Sequence, residues 1–114
     1  LNPAPLVLFA YNRPGHLRRT LDSLRRNSLA ARSTLYAFSD GPKTTADEPT
    51  VAEVREVLRK TQGFAGLELE ESPENQGLAQ SVIRGVTRVL ETHGRAIVLE
   101  DDLEFSTDFL AFMN

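Results

Sequence analysis

Apolar and polar positions alternate along the chain in blocks that predict four strands and four helices. Pro5 to Tyr11 is a continuous apolar run that predicts a central strand. Asn12-Arg13-Pro14-Gly15 breaks it, and Pro14 suits the first turn of a helix. Leu17, Leu21 and Leu24 then recur at helical spacing, with Arg18, Arg19, Arg25 and Arg26 on the remaining faces. Thr34 to Phe38 predicts a second strand, closed by the turn residues Ser39-Asp40-Gly41-Pro42. After the polar loop Lys43 to Pro49, Thr50-Val-Ala-Glu53 has the spacing of a capping box. The helix it opens places Val51, Val54 and Leu58 on one stripe and ends at Gln62-Gly63. Leu67 to Glu71 alternates leucine and glutamate, as a half-exposed edge strand does. Ser72 to Gly77 reads as a loop. A helix is predicted from Leu78 to His93, with Leu78, Val82, Val86, Val89 and Leu90 inward and Gly94 as its C-terminal cap. Ala96 to Leu99 predicts a fourth strand buried on both faces. Ser106 or Thr107 would cap a last helix, Asp108 to Asn114.

This order of alternating strands and helices predicts an α/β fold, with an open three-layer parallel sheet and right-handed crossovers. With the third strand at an edge, the simplest strand order is 3-2-1-4. Two helices then cover one face and the third crossover covers the other. Winding reverses between strands one and four, and a crevice opens at such a switch point beyond the carboxyl ends of the strands. Three polar signals converge there. The loop after the first strand carries Asn12 and Arg13, the loop after the second carries Asp40, and the fourth strand runs into Glu100-Asp101-Asp102.

Composition narrows the function. The chain has 114 residues, enough for one small domain, and a formal charge of −3, which gives no global attraction to nucleic acid or an anionic membrane. It has no cysteine, so disulfides, thiolate metal sites and a cysteine nucleophile are excluded. No apolar run approaches the ~20 residues of a membrane helix. The chain begins at Leu1 and stops at Asn114 inside an apolar segment, which reads as a piece of a longer protein, truncated at the C-terminus. Leu110, Phe112 and Met113 would then expose apolar surface and favour self-association.

The candidate residues carry two readings each. Three adjacent carboxylates repel one another. Either a hard cation such as Mg²⁺ or Mn²⁺ relieves them, or they form a solvated turn before a helix. Arg13 is a fork for phosphate or carboxylate, or the partner of a nearby acid. Asp40 accepts hydrogen bonds from a nucleobase or ribose, or shapes its own turn. Asn75 and Gly77 precede a helix N-terminus, which attracts anions, or they only cap it. His16 and His93 are assigned to the surface, and Glu104 and Asp108 to solvation.

Four stretches together resemble a known family: Val7-Leu-Phe-Ala-Tyr-Asn-Arg13, Phe38-Ser-Asp-Gly-Pro42, Asn75-Gln-Gly-Leu-Ala79 and Val98-Leu-Glu-Asp-Asp-Leu-Glu104. In that order, and over nearly the whole chain, they resemble the Rossmann-like, nucleotide-binding N-terminal half of GT-A-fold glycosyltransferases. The likeness is to family-2-like bacterial enzymes and to the N-acetylglucosaminyltransferase I type. The resemblance implies that Glu100-Asp101-Asp102 is the "DXD" element, although it opens with Glu. Asp102 would ligate Mn²⁺ or Mg²⁺ bridging a diphosphate, and Glu100 and Asp101 would contact sugar and ribose. Ala10, Asn12, Arg13, Asp40, Asn75 and Gly77 would complete the donor site.

The implied activity is transfer of a sugar from a nucleotide-diphospho-sugar, UDP-sugar foremost, to a glycan or other hydroxyl acceptor, with inversion. The general base that this needs is expected beyond residue 114, so residues 1–114 alone would be inactive. The competing class is a non-catalytic nucleotide- or metal-binding module, a degenerate transferase. The compartment implied is the cytoplasm if the source is bacterial.

Overall fold

The computed structural model describes residues 2–101 and 105–114. Its elements are β1 (Leu6–Ala10), α1 (Pro14–Arg25), β2 (Thr34–Ser39), α2 (Glu48–Arg59), β3 (Gly66–Glu71), α3 (Leu78–His93), β4 (Ile97–Glu100) and α4 (Phe109–Met113), with short 3-10 turns at Ala30–Arg32 and Thr45–Asp47. The four strands form one sheet in the order β3-β2-β1-β4. All three pairings are parallel, with Leu8 opposite Ala37 and Leu99, and Ala37 opposite Leu69. The predicted topology and the direction of every pairing therefore hold.

Strand alternation sorts side chains onto two faces. One face carries Leu6, Leu8, Leu35, Ala37, Ile97 and Leu99, and packs against Leu17, Leu21 and Leu24 of α1 and Val54 and Leu58 of α2. Each leucine buried to this degree contributes about 2 kcal/mol of transfer free energy. The other face carries Val7, Phe9 and Phe38, covered by Val82, Val86 and Val89 of α3. Of the three crossover helices, two thus lie on one face and one on the other, and Leu110 of α4 joins the two-helix side.

The segment after β4 returns to α1 through two buried polar side chains. Ser23 Oγ accepts from Phe105 N at 3.1 Å, and Asn27 Oδ1 accepts from Leu110 N at 2.9 Å. Among the described residues no buried side-chain nitrogen or oxygen lacks a hydrogen-bond partner.

Several local expectations are corrected. β4 is buried on one face only: Val98 is 46% exposed, because β4 is itself an edge and α3 sits over β1 and β2. Leu90, expected inward, is exposed on the flank of α3, and Leu78, also expected inward, is exposed at the first residue of the helix, where it lines a cavity. The Thr50–Glu53 capping box does not form. Pro49 enters the first turn, α2 starts at Glu48, and Thr50 Oγ1 donates to the Asp47 carbonyl from inside the helix. α2 also ends at Arg59, with Lys60 as its cap, ahead of the predicted Gln62-Gly63. The last helix has Asp108 at its N-cap position, without a side-chain cap, rather than Ser106 or Thr107. Leu110 is fully buried in the core, so only Phe112 and Met113 of the predicted apolar trio are exposed. Gly94 does cap α3 in the left-handed conformation.

The approach of α3 to the sheet depends on Gly85. Phe9 and Phe38 stack with ring centroids 5.4 Å apart, and a Cβ at residue 85 would stand 2.8 Å from Phe9 Cε1 and 3.1 Å from Phe38 Cε2. Both rings are buried, so neither can swing clear. Gly85→Ala gains about 1 kcal/mol of helix propensity and incurs about 1–3 kcal/mol of overpacking, so a net loss of about 1 kcal/mol is expected. Urea unfolding measures it; a raised midpoint would show that α3 stands off the rings.

Candidate functional site

The carboxyl ends of β1, β2 and β4 open on a cavity of about 250 Å³. Its apolar walls come from Phe9, Phe38, Tyr11 and Leu78. Its polar lining is Asp40, Lys43, Asn75, Ser81 and Asp101, and Ala10 and Gly77 complete it. Five residues predicted to form a donor site, Ala10, Asp40, Asn75, Gly77 and Asp101, therefore meet at one cavity, at the switch point between β1 and β4.

Asp40 organises this end of the sheet. It is 8% exposed, and its carboxylate accepts four N–H groups. Oδ1 takes Gly41 N and Gln76 N, both at 2.9 Å; Oδ2 takes Gly77 N at 3.0 Å and Asn75 Nδ2 at 3.3 Å. Asn75 Nδ2 also donates to the Gly41 carbonyl at 2.9 Å. The end of β2 is thereby tied to the loop that enters α3. The bond from Gly41 N is the one expected of a residue that shapes its own turn; the grip on residues 75–77 is a brace that neither reading of Asp40 foresaw, and the same residue also lines the cavity. The loop can come this close because residue 41 is glycine: a Cβ there would lie 2.5 Å from the Glu74 carbonyl carbon.

The remaining predicted residues lie around this centre. Asn12 Nδ2 donates to Asp47 Oδ1 at 3.3 Å. Arg13 is exposed at the N-cap position of α1, where its carbonyl accepts from Leu17 N at 3.0 Å. Glu100 ends β4 opposite Phe9 and is exposed. Asn12, Arg13 and Glu100 are not in the lining of the cavity. Asp102, the predicted metal ligand, and Glu104 lie outside the described residues. Among the described residues no three acidic or histidine side chains are gathered as a metal site. His93 is exposed and hydrogen-bonds Tyr36 Oη through Nε2 at 2.6 Å.

Sequence reasoning missed Tyr11, Lys43 and Ser81 as lining residues, and the partner that holds Tyr11. Tyr11 Oη donates to Asp47 Oδ2, and Lys43 N donates to Tyr11 Oη at 3.1 Å. The loop after β2 is thus tied across the end of β1. Tyr11 directly follows the first strand and adjoins Asn12-Arg13, which was the one available signal. Its partner, 36 residues away, left none.

No family model matches the sequence, and no curated protein matches it. In fold, the chain is similar to the crystal structure of S. aureus TarS, with a TM-score of 0.60 and 14% identity over 96% of this chain. The chain spans 19% of the length of that protein. At this identity the likeness is one of fold.

The Tyr11–Asp47 tie sets a pH window. The hydrogen bond to Asp47 holds the Tyr11 phenol above its usual range, and the same bond holds the Asp47 carboxyl below its own. The depressed carboxyl contributes stability that is complete above the ordinary value of about 3.9 and is lost as pH falls through the depressed one. The raised phenol contributes stability that is complete below about 10 and is lost as pH rises through the raised value. Asp47→Asn should let tyrosinate form at lower pH than in the parent, read by ultraviolet absorbance. Identical titration curves would mean that the tie is not made in solution.

Proposed function

We propose that this chain is the donor-binding part of a glycosyltransferase, which binds a nucleotide-diphospho-sugar, UDP-sugar foremost, for transfer to an acceptor hydroxyl. The observation that carries the reading is the cavity at the switch point, where Ala10, Asp40, Asn75, Gly77 and Asp101 meet. Ligands of open α/β sheets bind at this position. The fold likeness to TarS, itself a glycosyltransferase, supports the same class.

The site suits the two ends of such a donor differently. The aromatic and aliphatic walls, with the amide of Asn75 and the hydroxyl of Ser81, suit a base and ribose. Lys43 supplies a cation at the rim. Glu100, Asp101 and Asp102 follow one another in the sequence from the last residue of β4, and three such charges would oppose the approach of a diphosphate. Their oxygen donors suit Mg²⁺ or Mn²⁺, which would neutralise the leaving group when bound. Asp102 is the proposed direct ligand. The acceptor site, the general base and the inverting outcome belong to segments beyond this chain in the same reading.

Two unit charges ~4 Å apart at an effective dielectric near 20 interact by about 4 kcal/mol, the scale that a cation must reverse. UDP should therefore bind with Mn²⁺ and far more weakly in EDTA, measured by calorimetry. Asp102→Asn should abolish the metal response, and Glu104→Gln should keep it. Equal binding of UDP in Mn²⁺ and EDTA, or a full metal response in Asp102→Asn, would overturn the metal-dependent reading. No binding of UDP under either condition would overturn UDP as the donor nucleotide.

A further inference from the structure

Arg55 reaches the cavity's supports from the far side of the sheet end. It lies on α2, is half-buried, and makes no ion pair of its own among the described residues. Its guanidinium is directed instead at backbone and hydroxyl oxygens where β2 and β3 part. Nε donates to Ser39 Oγ at 3.1 Å, and Nη2 donates to the Ser72 carbonyl at 2.5 Å. The same Nη2 lies 3.4 Å from the carbonyls of Ser39 and Asp40. One turn further along α2, Arg59 forms a two-pronged pair with Glu71, at 2.8 and 2.6 Å. That pair fixes α2 over the end of β3 and leaves Arg55 to address the loops.

We propose that Arg55 is the positioning residue of the site. By holding the carbonyls of Ser39, Asp40 and Ser72, it fixes the backbone from which the Asp40 carboxylate grips Gln76 N and Gly77 N. The step from a positioned loop to ligand affinity rests on the function proposed above. Three features carry it. A planar fork is needed to serve Ser39 Oγ and the Ser72 carbonyl together, and a lysine ammonium cannot reproduce that geometry. The carbonyls held belong to Asp40 itself, to the residue before it, and to the start of the 72–77 loop. The grip of Asp40 on the loop is at hydrogen-bonding distance, so a small shift of the Asp40 backbone loosens it.

Arg55→Lys tests this, because it keeps the charge and removes the fork. Amide hydrogen exchange reads the loop without any ligand. Exchange at Gln76 and Gly77 should quicken about tenfold, the scale of one hydrogen bond, while Leu35 to Phe38 in β2 stay as in the parent. UDP affinity, measured with Mn²⁺, should fall by a similar factor. Ser39→Ala removes only the Nε acceptor and should give the same local signature more weakly; it decides the matter if Arg55→Lys does not fold. Unchanged exchange at Gln76 and Gly77 would overturn the proposal. So would faster exchange spread equally through β2, which is the mark of an ordinary loss of stability. If the parent does not bind UDP, the donor reading falls, and exchange at Gln76 and Gly77 still decides the role of Arg55.

Discussion

The end of the sheet where the cavity lies depends on one buried carboxylate. Asp40 replaces water with four N–H donors, three of them backbone groups. Hydrogen bonds to a charged acceptor are roughly twice as strong as neutral ones, which offsets the desolvation of an anion at 8% exposure. The geometric cost falls on Gly41, where any side chain would strike the backbone of Glu74. Lose either residue and the part of the loop at Gln76 and Gly77 loses its grip on the end of β2. The cavity would then lose Asn75 and Gly77 from its wall.

Topology supplies the rest of the frame. β1 lies between β2 and β4, and the helix that follows β1 covers one face of the sheet while the helix that precedes β4 covers the other, so a gap is left at this strand end. The described residues on either side of positions 102–104 are both fixed. Glu100 is registered against Phe9 in the ladder, and Phe105 N is bound by Ser23 Oγ of α1. Ser23 and Asn27 are buried polar side chains on α1 and just beyond its end. They are the seats on which the returning chain is fixed, and they are buried because they have partners there.

This division explains what was legible in the sequence. The strands and their order followed from the apolar runs and from the Leu67–Glu71 alternation, since burial on one or two faces imprints a period on the chain. Ala96 to Leu99 shows the limit of that rule. An apolar run looks the same whether or not its second face is covered, and β4 leaves Val98 exposed. Topology alone brought Asp40 and Asp101 together, since it sets which loops meet; Asn75 and Gly77 came in only through the family resemblance, and Asn12, Arg13 and Glu100, expected at the same crevice, do not line the cavity. The Tyr11–Asp47 tie and the reach of Arg55 were not. Each is a side-chain pairing across 15 to 36 residues, set by packing angles that no local pattern encodes.

The same division bears on how a charged ligand would meet the site. Asp40 sits among the lining residues, yet its charge faces four N–H dipoles that balance it locally, so it presents less repulsion to an incoming anion than its formal charge suggests. The acids that end β4 are placed otherwise: Glu100 is exposed and Asp101 is at the cavity. Repulsion toward a diphosphate is therefore concentrated at one strand end rather than spread around the rim. On the proposed reading a single cation at that end would reverse it, with the aromatic half of the cavity left undisturbed. On the proposed reading, the metal and the base would be recognised by different strands, joined only through the frame that Asp40 holds.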